Sequence, residues 1–118
     1  MQLLTRDIER KLLKNGEDQK KAEALGHVID FFPVVKLFTP DAGATWLLSE
    51  CDPDEPDRLF GLCDLGLNCP ERGYVSLTEI KEVRGRLGLP VERDLHFVAD
   101  KPLSAYTDDA RAKGRIVA

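Results

Sequence analysis

Residues 33–65, PVVKLFTPDAGATWLLSECDPDEPDRLFGLCDL, decide the fold. They contain three short apolar runs, at 34–38, 44–50 and 59–65, and residues such as proline, glycine and aspartate separate the runs, which is typical of β-strands. The last two runs flank residues 52–57, DPDEPD, whose prolines and aspartates favour a turn. We therefore predict three strands, of which the second and third form a hairpin.

The segment before these strands has the spacing of an amphipathic helix. Leu4, Ile8 and Leu12 recur every four residues, and the Thr5 hydroxyl is able to cap the first turn. The pair Asn15-Gly16 is expected to interrupt this helix, and the charged residues 17–23 then form a second helical piece or a loop. The prediction is an N-terminal helical segment over residues 5–25, with its first helix over 5–14.

The segment after the hairpin alternates between strands and helices. A strand is predicted over 74–76 and a helix over 77–84, because Ser76 and Glu79 have the spacing of a capping box. Residues 94–98 are predicted to form a further strand. A last helix is expected over 102–113, with Pro102 near its start and Gly114 just past its end.

The order of these elements predicts an α+β fold in a single domain covering residues 1–118. Connections of hairpin length dominate, so the sheet within residues 34–98 is expected to be mainly antiparallel, with about five strands. About three helices are expected to pack on this sheet, all on one face.

Charge is unevenly distributed along the chain. The net charge is −4, but residues 41–64 hold seven acidic residues and one basic residue, a net charge of −6. Such an acidic centre is unfavourable for holding a phosphate backbone, so nucleic acid is not expected as a direct partner. No apolar run approaches the roughly 20 residues of a membrane helix, and the first residues lack the pattern of a signal peptide. We therefore expect a cytoplasmic protein without membrane contact.

The cysteines and histidines do not match a known metal or catalytic pattern. Cys51, Cys63 and Cys69 make no C-x-x-C pair, so free thiols are expected, with no metal site and no cofactor. Cys63, Asp64 and His96 form an alternative set for a small-ligand or metal-dependent enzyme. Because the run around Cys63 has the pattern of a strand, and buried cysteines are ordinarily inert, a catalytic role is the less favoured interpretation.

The acidic hairpin, defined here as residues 52–57, is the most distinctive feature of the sequence. Its prolines and the missing central glycine break the pattern of a calcium loop, so we expect no calcium site here. Two interpretations stay open: a charged turn that keeps the sheet soluble, or a patch that binds a basic surface on another protein. For the second, the predicted contact residues are Asp52, Asp54, Glu55, Asp57 and Asp64, with Trp46 as an aromatic anchor unless it lies in the core.

Direct DNA binding is a further alternative. It would require an exposed basic stripe on the first helix, formed by Arg10, Lys11, Lys14, Lys20 and Lys21.

Four stretches resemble an uncharacterised bacterial domain-of-unknown-function family of short proteins. They are residues 33–48, 60–66, 73–77 and 92–97, and the likeness extends over about residues 3–118. The family is typical of plasmids and integrative conjugative elements, where it often accompanies antirestriction, partition and transfer genes. The resemblance implies a mobile-element accessory protein and carries over no functional residues. The hypothesis is a non-enzymatic protein that binds another protein and interferes with host defence, of the antirestriction or anti-CRISPR type.

Overall fold

A computed structural model of the chain describes residues 2–118 and contains three α-helices and five β-strands. In chain order these are α1 (Arg6–Ala24), β1 (Val35–Phe38), β2 (Thr45–Cys51), β3 (Arg58–Asp64), β4 (Glu71–Ser76), α2 (Leu77–Glu82), β5 (Glu92–Arg93) and α3 (Leu103–Lys113). The strands form one sheet in the order β4-β3-β2-β1-β5, and every neighbouring pair is antiparallel. The predicted α+β class, with a five-stranded antiparallel sheet and three helices in one domain, is confirmed.

Helices cover both faces of the sheet. The prediction that all helices pack on one face is therefore wrong. Side chains alternate along β2, so Trp46 and Leu48 point to one face and Leu47 to the other. The first face packs against α1 and α2 through Leu12 and Ile80. The second packs against α3, whose buried residues are Leu103, Tyr106, Thr107 and Ala110. Continuous burial along β2 is thus the consequence of a helix layer on each side.

Helix α1 runs without interruption through Asn15-Gly16, contrary to the expected break. The Asn15 side-chain amide donates to the backbone carbonyl of Ser49 at 2.9 Å. A Cβ atom on Gly16 would lie 1.7 Å from the carbonyl oxygen of Cys51, so the glycine permits a close approach of α1 to β2. Tertiary contacts therefore override the local tendency of this pair to end a helix.

The strand predicted over residues 94–98 is wrong. The edge strand β5 covers only Glu92–Arg93, where it pairs with Phe38 and Leu37 of β1. The Asp94 carboxylate then accepts a hydrogen bond from the backbone N–H of His96 at 2.9 Å, and this local bond turns the chain away from the sheet.

A β-bulge at Ser49 changes the direction of the side chains at the end of β2. Leu48 pairs with Gly61 and Glu50 pairs with Phe60, so Ser49 is an extra residue in the ladder. Without the bulge, Glu50 would share a face with Leu48. With it, Glu50 lies on the face that bears Phe60 and α3.

The helices within residues 2–118 include none that combines the length and apolarity needed to cross a membrane. The longest, α1, has 19 residues and is rich in charged side chains.

Candidate functional site

The acidic residues that are close in sequence separate into two groups in space. Asp41 and Asp64 lie at the end of the sheet where Thr45 begins β2, and the acidic hairpin lies at the other end. Asp64 is only 3% exposed, and its carboxylate accepts hydrogen bonds from the backbone N–H groups of Gly66 at 2.8 Å and Ile116 at 2.9 Å. Asp64 therefore lies away from the hairpin surface and joins the loop after β3 to the segment that follows α3.

Within the acidic hairpin, two of the four carboxylates have basic partners. One Asp52 oxygen accepts from the backbone N–H of Asp54 at 2.9 Å, and the other lies 3.6 Å from Arg58. Asp54 pairs with Lys20 of α1. Glu55 is exposed and makes no side-chain hydrogen bond or ion pair within residues 2–118.

Asp57 has a structural role at the start of α2. The hydroxyl groups of Ser76 and Thr78 donate to its carboxylate at 2.5 and 2.7 Å, and the Thr78 backbone N–H donates at 2.8 Å. The Ser76 hydroxyl in turn accepts from the Glu79 backbone N–H, as the capping spacing predicts. The hydrogen bonds from Ser76 and then Thr78 hold the pKa of Asp57 below its ordinary value.

Trp46 lies in the hydrophobic core, where it is 3% exposed and packs with Leu37, Leu48 and neighbouring side chains. Of the two expected positions of Trp46, the structure thus shows the one in the core. A buried Trp46 is not part of the surface that a partner would contact.

Two adjoining clefts lie beside the acidic hairpin and together form what we call the acidic groove. They share four residues, Gln19, Glu23, Glu50 and Tyr74. The first cleft, of about 200 Å³, is completed by residues of α1 and the hairpin, namely Gly16, Lys20, Cys51, Asp52, Pro53 and Asp54. The second, of about 290 Å³, is completed by Val28, Ile29, Asp30, Phe31, Ser49, Phe60, Arg72, Leu103 and Ser104.

Glu50 is the central charged group of the groove. It is 7% exposed, and the Gln19 side-chain amide donates to its Oε2 atom at 3.2 Å. Burial raises the pKa of Glu50, the nearby charge of Glu23 raises it further, and the Gln19 hydrogen bond acts in the opposite direction. No ion pair involves Glu50 within residues 2–118. A buried carboxylate without a basic partner is unusual and is a feature of binding and catalytic sites.

Gln19 also holds residues 29–31 in place, and we call these residues the wall of the groove. Its amide nitrogen donates to the Ile29 carbonyl at 2.8 Å, and its amide oxygen accepts from the Ile29 backbone N–H at 2.9 Å. These two bonds, with the bond to Glu50, join α1, the following loop and β2. Sequence reasoning did not single out Gln19 or Glu50. The available signal was a lone carboxylate near the end of the otherwise uncharged β2 segment.

Tyr74 forms the opposite side of the groove and is half exposed. The Arg58 guanidinium lies 3.8 Å from the centre of its ring, and the Phe60 ring meets it edge to face at 5.2 Å. Burial raises the pKa of Tyr74, and the charge of Glu50 adds to this effect. Arg58 already covers one face of this ring, so a further cation in the groove would be held chiefly by the carboxylates of Glu50 and Glu23.

The structure does not assemble Cys63, Asp64 and His96 as the enzyme alternative requires. Cys63 and Asp64 are consecutive in β3 and point to opposite faces, while His96 is exposed in the turn after β5. Burial raises the pKa of the Cys63 thiol, and the charge of Asp64 raises it further, which disfavours the nucleophilic thiolate. Cys51, Cys63 and Cys69 are free thiols.

The basic residues of α1 do not form a continuous stripe. Three of the five residues proposed for DNA binding pair with carboxylates: Arg10 with Asp7, Lys14 with Asp18, and Lys20 with Asp54 of the hairpin. The helix holds six basic and five acidic residues. This alternation is unfavourable for binding a phosphate backbone.

Within the part of the chain that the structure describes, no group of three or more histidine, cysteine, aspartate or glutamate residues is arranged to hold a metal ion.

The fold and the groove define a small α+β domain with an acidic groove at one end of its sheet. The chain belongs to the DUF2958 family, whose model is described as a protein of unknown function and matches residues 3–117. The resemblance to a domain-of-unknown-function family is thereby confirmed. No curated protein and no solved structure matches the chain.

Proposed function

We propose that the protein is a non-enzymatic binding protein that contacts a basic surface of another protein through the acidic hairpin and the adjoining groove. The observation that carries this proposal is the convergence of Glu23, Glu50, Asp52 and Asp54 on one cleft, with Glu55 exposed beside it. Of these five acids, Asp52 and Asp54 have basic partners, so the surface keeps an excess of negative charge. Such a surface speeds and orients the encounter with a positively charged partner.

The biological setting is part of the same proposal. We place the protein in the cytoplasm as an accessory protein of a mobile element, acting against a host defence protein of basic character. This part is supported by the resemblance of the sequence to a family typical of plasmids and integrative conjugative elements. A basic target is consistent with the proposal because proteins that bind nucleic acid expose clustered lysine and arginine, which an acidic surface complements.

The test is a comparison of two variants that each lose three negative charges. The variant D52N/D54N/E55Q neutralises the hairpin and keeps Asp57, since Asp57 holds α2. The control E71Q/E79Q/E82Q neutralises three exposed carboxylates of β4 and α2. Parent and variants serve as bait in lysate of the organism that encodes the protein, at about 50 and 300 mM salt.

We expect the parent and the control to recover the same basic protein, and the hairpin variant to lose it. Recovery by the parent should fall at the higher salt concentration, because exposed charges are screened over about a Debye length. Equal recovery by all three proteins would show that the hairpin is a solubilising turn only.

A further inference from the structure

We propose that the acidic groove receives a peptide segment of the partner that carries an apolar side chain next to a cationic one. This inference rests on the proposed function and specifies the chemistry of the partner. The apolar side chain enters the cleft near Phe31 and Leu103, and the cationic side chain, arginine or lysine, pairs with Glu50.

The apolar half of the groove has a wall that is fixed before a ligand arrives. Residues 29–31 are tied to α1 by the two hydrogen bonds of Gln19 to Ile29. They are tied to α3 by the bond from the Leu103 backbone N–H to the Phe31 carbonyl at 2.8 Å. Asp30 accepts hydrogen bonds from the backbone N–H and the hydroxyl of Ser104. Because the wall is already ordered, little conformational entropy is lost when an apolar group binds against it.

Apolar side chains on either side of this wall are exposed to solvent. Val28 is 82% exposed, and Phe32, just past the wall, is half exposed. Phe60 lines the floor of the cleft from β3. Exposed apolar side chains beside a preformed cleft are typical of a surface that another molecule covers.

The acidic half has a carboxylate that lacks a counter-charge. Glu50 is 7% exposed, its Oε2 atom accepts the hydrogen bond from Gln19, and its Oε1 atom accepts no hydrogen bond within residues 2–118 and is open to solvent. Glu23 lines the same cleft and adds a second negative charge. A cation placed beside the solvent-facing oxygen of Glu50 would offset the free-energy cost of removing most of this side chain from water.

The basic side chains that lie around the groove do not supply this cation. Lys20 pairs with Asp54, and Arg58 lies over the Tyr74 ring and within 3.6 Å of Asp52. Arg72 lines the apolar cleft but forms no ion pair with Glu50. The position beside Glu50 is therefore open to a charge from outside the chain.

Three synthetic dipeptides test the proposal with the full chain. The first probe is acetyl-Phe-Arg-amide, which carries both features. Acetyl-Phe-citrulline-amide keeps the shape and removes the charge, and acetyl-Gly-Arg-amide keeps the charge and removes the apolar group. Binding is followed by amide chemical shifts of the ¹⁵N-labelled protein, read at Gln19, Ile29 and Glu50.

We expect acetyl-Phe-Arg-amide to shift these three amides, with affinity about tenfold or more above that of either of the other probes. The variant E50Q keeps the size of the side chain and should lose about tenfold in affinity for acetyl-Phe-Arg-amide alone. The control E82Q removes one exposed carboxylate of α2 and should bind as the parent does.

Equal affinity of E50Q and the parent, or equal affinity of the citrulline and arginine probes, would overturn the assignment of the cation to Glu50. Shifts confined to amides outside the groove would overturn the assignment of the site. These outcomes are separable from failure of the proposed function, since the capture experiment alters Asp52, Asp54 and Glu55 and leaves Glu50 in place.

Discussion

Asp57 accepts two hydrogen bonds from Thr78, one from its backbone N–H at 2.8 Å and one from its hydroxyl at 2.7 Å. This contact ties the end of the acidic hairpin to the first turn of α2. A carboxylate at a helix N-terminus satisfies free backbone N–H groups and interacts favourably with the helix dipole. One acid of the hairpin thus stabilises the fold, while its neighbours face solvent or basic side chains.

The variant D57N is expected to melt at a lower temperature than the parent at pH 7. The pKa of Asp57 is lowered from 3.8, so the folded protein keeps this carboxylate ionised to lower pH than the unfolded chain does. The resulting stabilisation is complete above pH 3.8 and is lost as the pH falls through the lower pKa of the folded state.

Circular dichroism melts at pH 7 and at successively lower pH would therefore show the gap between parent and D57N closing in acid. The control E55Q changes an exposed carboxylate without a partner and should leave the melting temperature unchanged. A gap that stays constant down to the lowest pH would contradict the role assigned to the ionised Asp57.

The variant G16A should destabilise the protein although alanine is the better helix former by about 1 kcal/mol. The added Cβ would lie 1.7 Å from the Cys51 carbonyl oxygen, so α1 must move away from β2. We expect a net loss of roughly 2 kcal/mol or more in the free energy of unfolding, measured in urea. G73A is the matched control, because a Cβ at Gly73 meets no atom within 4 Å. A variant G16A as stable as the parent would show that the two elements do not pack this closely.

The variant E50Q should be more stable than the parent at neutral pH. Burial raises the pKa of Glu50 above 4.5, so between the two pKa values the folded state holds more protons than the unfolded chain. The free energy of unfolding of the parent therefore decreases as the pH rises through this window. Glutamine does not ionise, so the E50Q variant lacks the part of this decrease that comes from Glu50. Urea denaturation between about pH 4 and pH 8 measures the two curves. Parallel curves for parent and variant would contradict the raised pKa.

Removal of the Asp64 carboxylate should loosen the end of the sheet opposite to the groove. The variant D64A leaves the backbone N–H groups of Gly66 and Ile116 without their acceptor, at a cost of about 1–3 kcal/mol. Hydrogen exchange at the Ile116 amide should become faster by more than the global loss of stability explains. If exchange at Ile116 rises only in step with that global loss, Asp64 does not hold this segment locally.

The strands of the sheet could be predicted because their signals are local. Apolar runs, prolines at their ends and the capping spacing at Ser76 depend on neighbours in sequence, and the observed bounds of β1 to β4 and α2 overlap the predicted ones. The helix break at Gly16 was predicted wrongly for a physical reason. Whether a glycine ends a helix or admits a close contact depends on what packs against it, and Cys51 lies 35 residues away.

The candidate site was predictable only in part. The acidic hairpin is visible in the sequence. Because Asp41 and Asp64 belong to the same acidic stretch of the chain, they were grouped with the hairpin. The antiparallel ladder instead places them at the other end of the sheet. Glu50 reaches the groove because the bulge at Ser49 moves its side chain to the other face of the sheet. No sequence pattern marks that bulge. Gln19 contributes through a contact with a loop that sequence periodicity does not describe.

The attachment of α1 to β2 also determines which parts of the groove are able to move. Asn15, Gly16 and Gln19 contact Ser49, Cys51 and Glu50 within little more than one helical turn. Helix and strand are therefore expected to behave as one rigid body, and the groove does not widen by displacement of α1 alone. The groove is instead expected to adapt to the shape of a bound molecule by rotation of side chains at its rim, chiefly those of Glu23 and Tyr74. A partner that fits must match a nearly fixed width, which favours a narrow extended segment over a bulky helix.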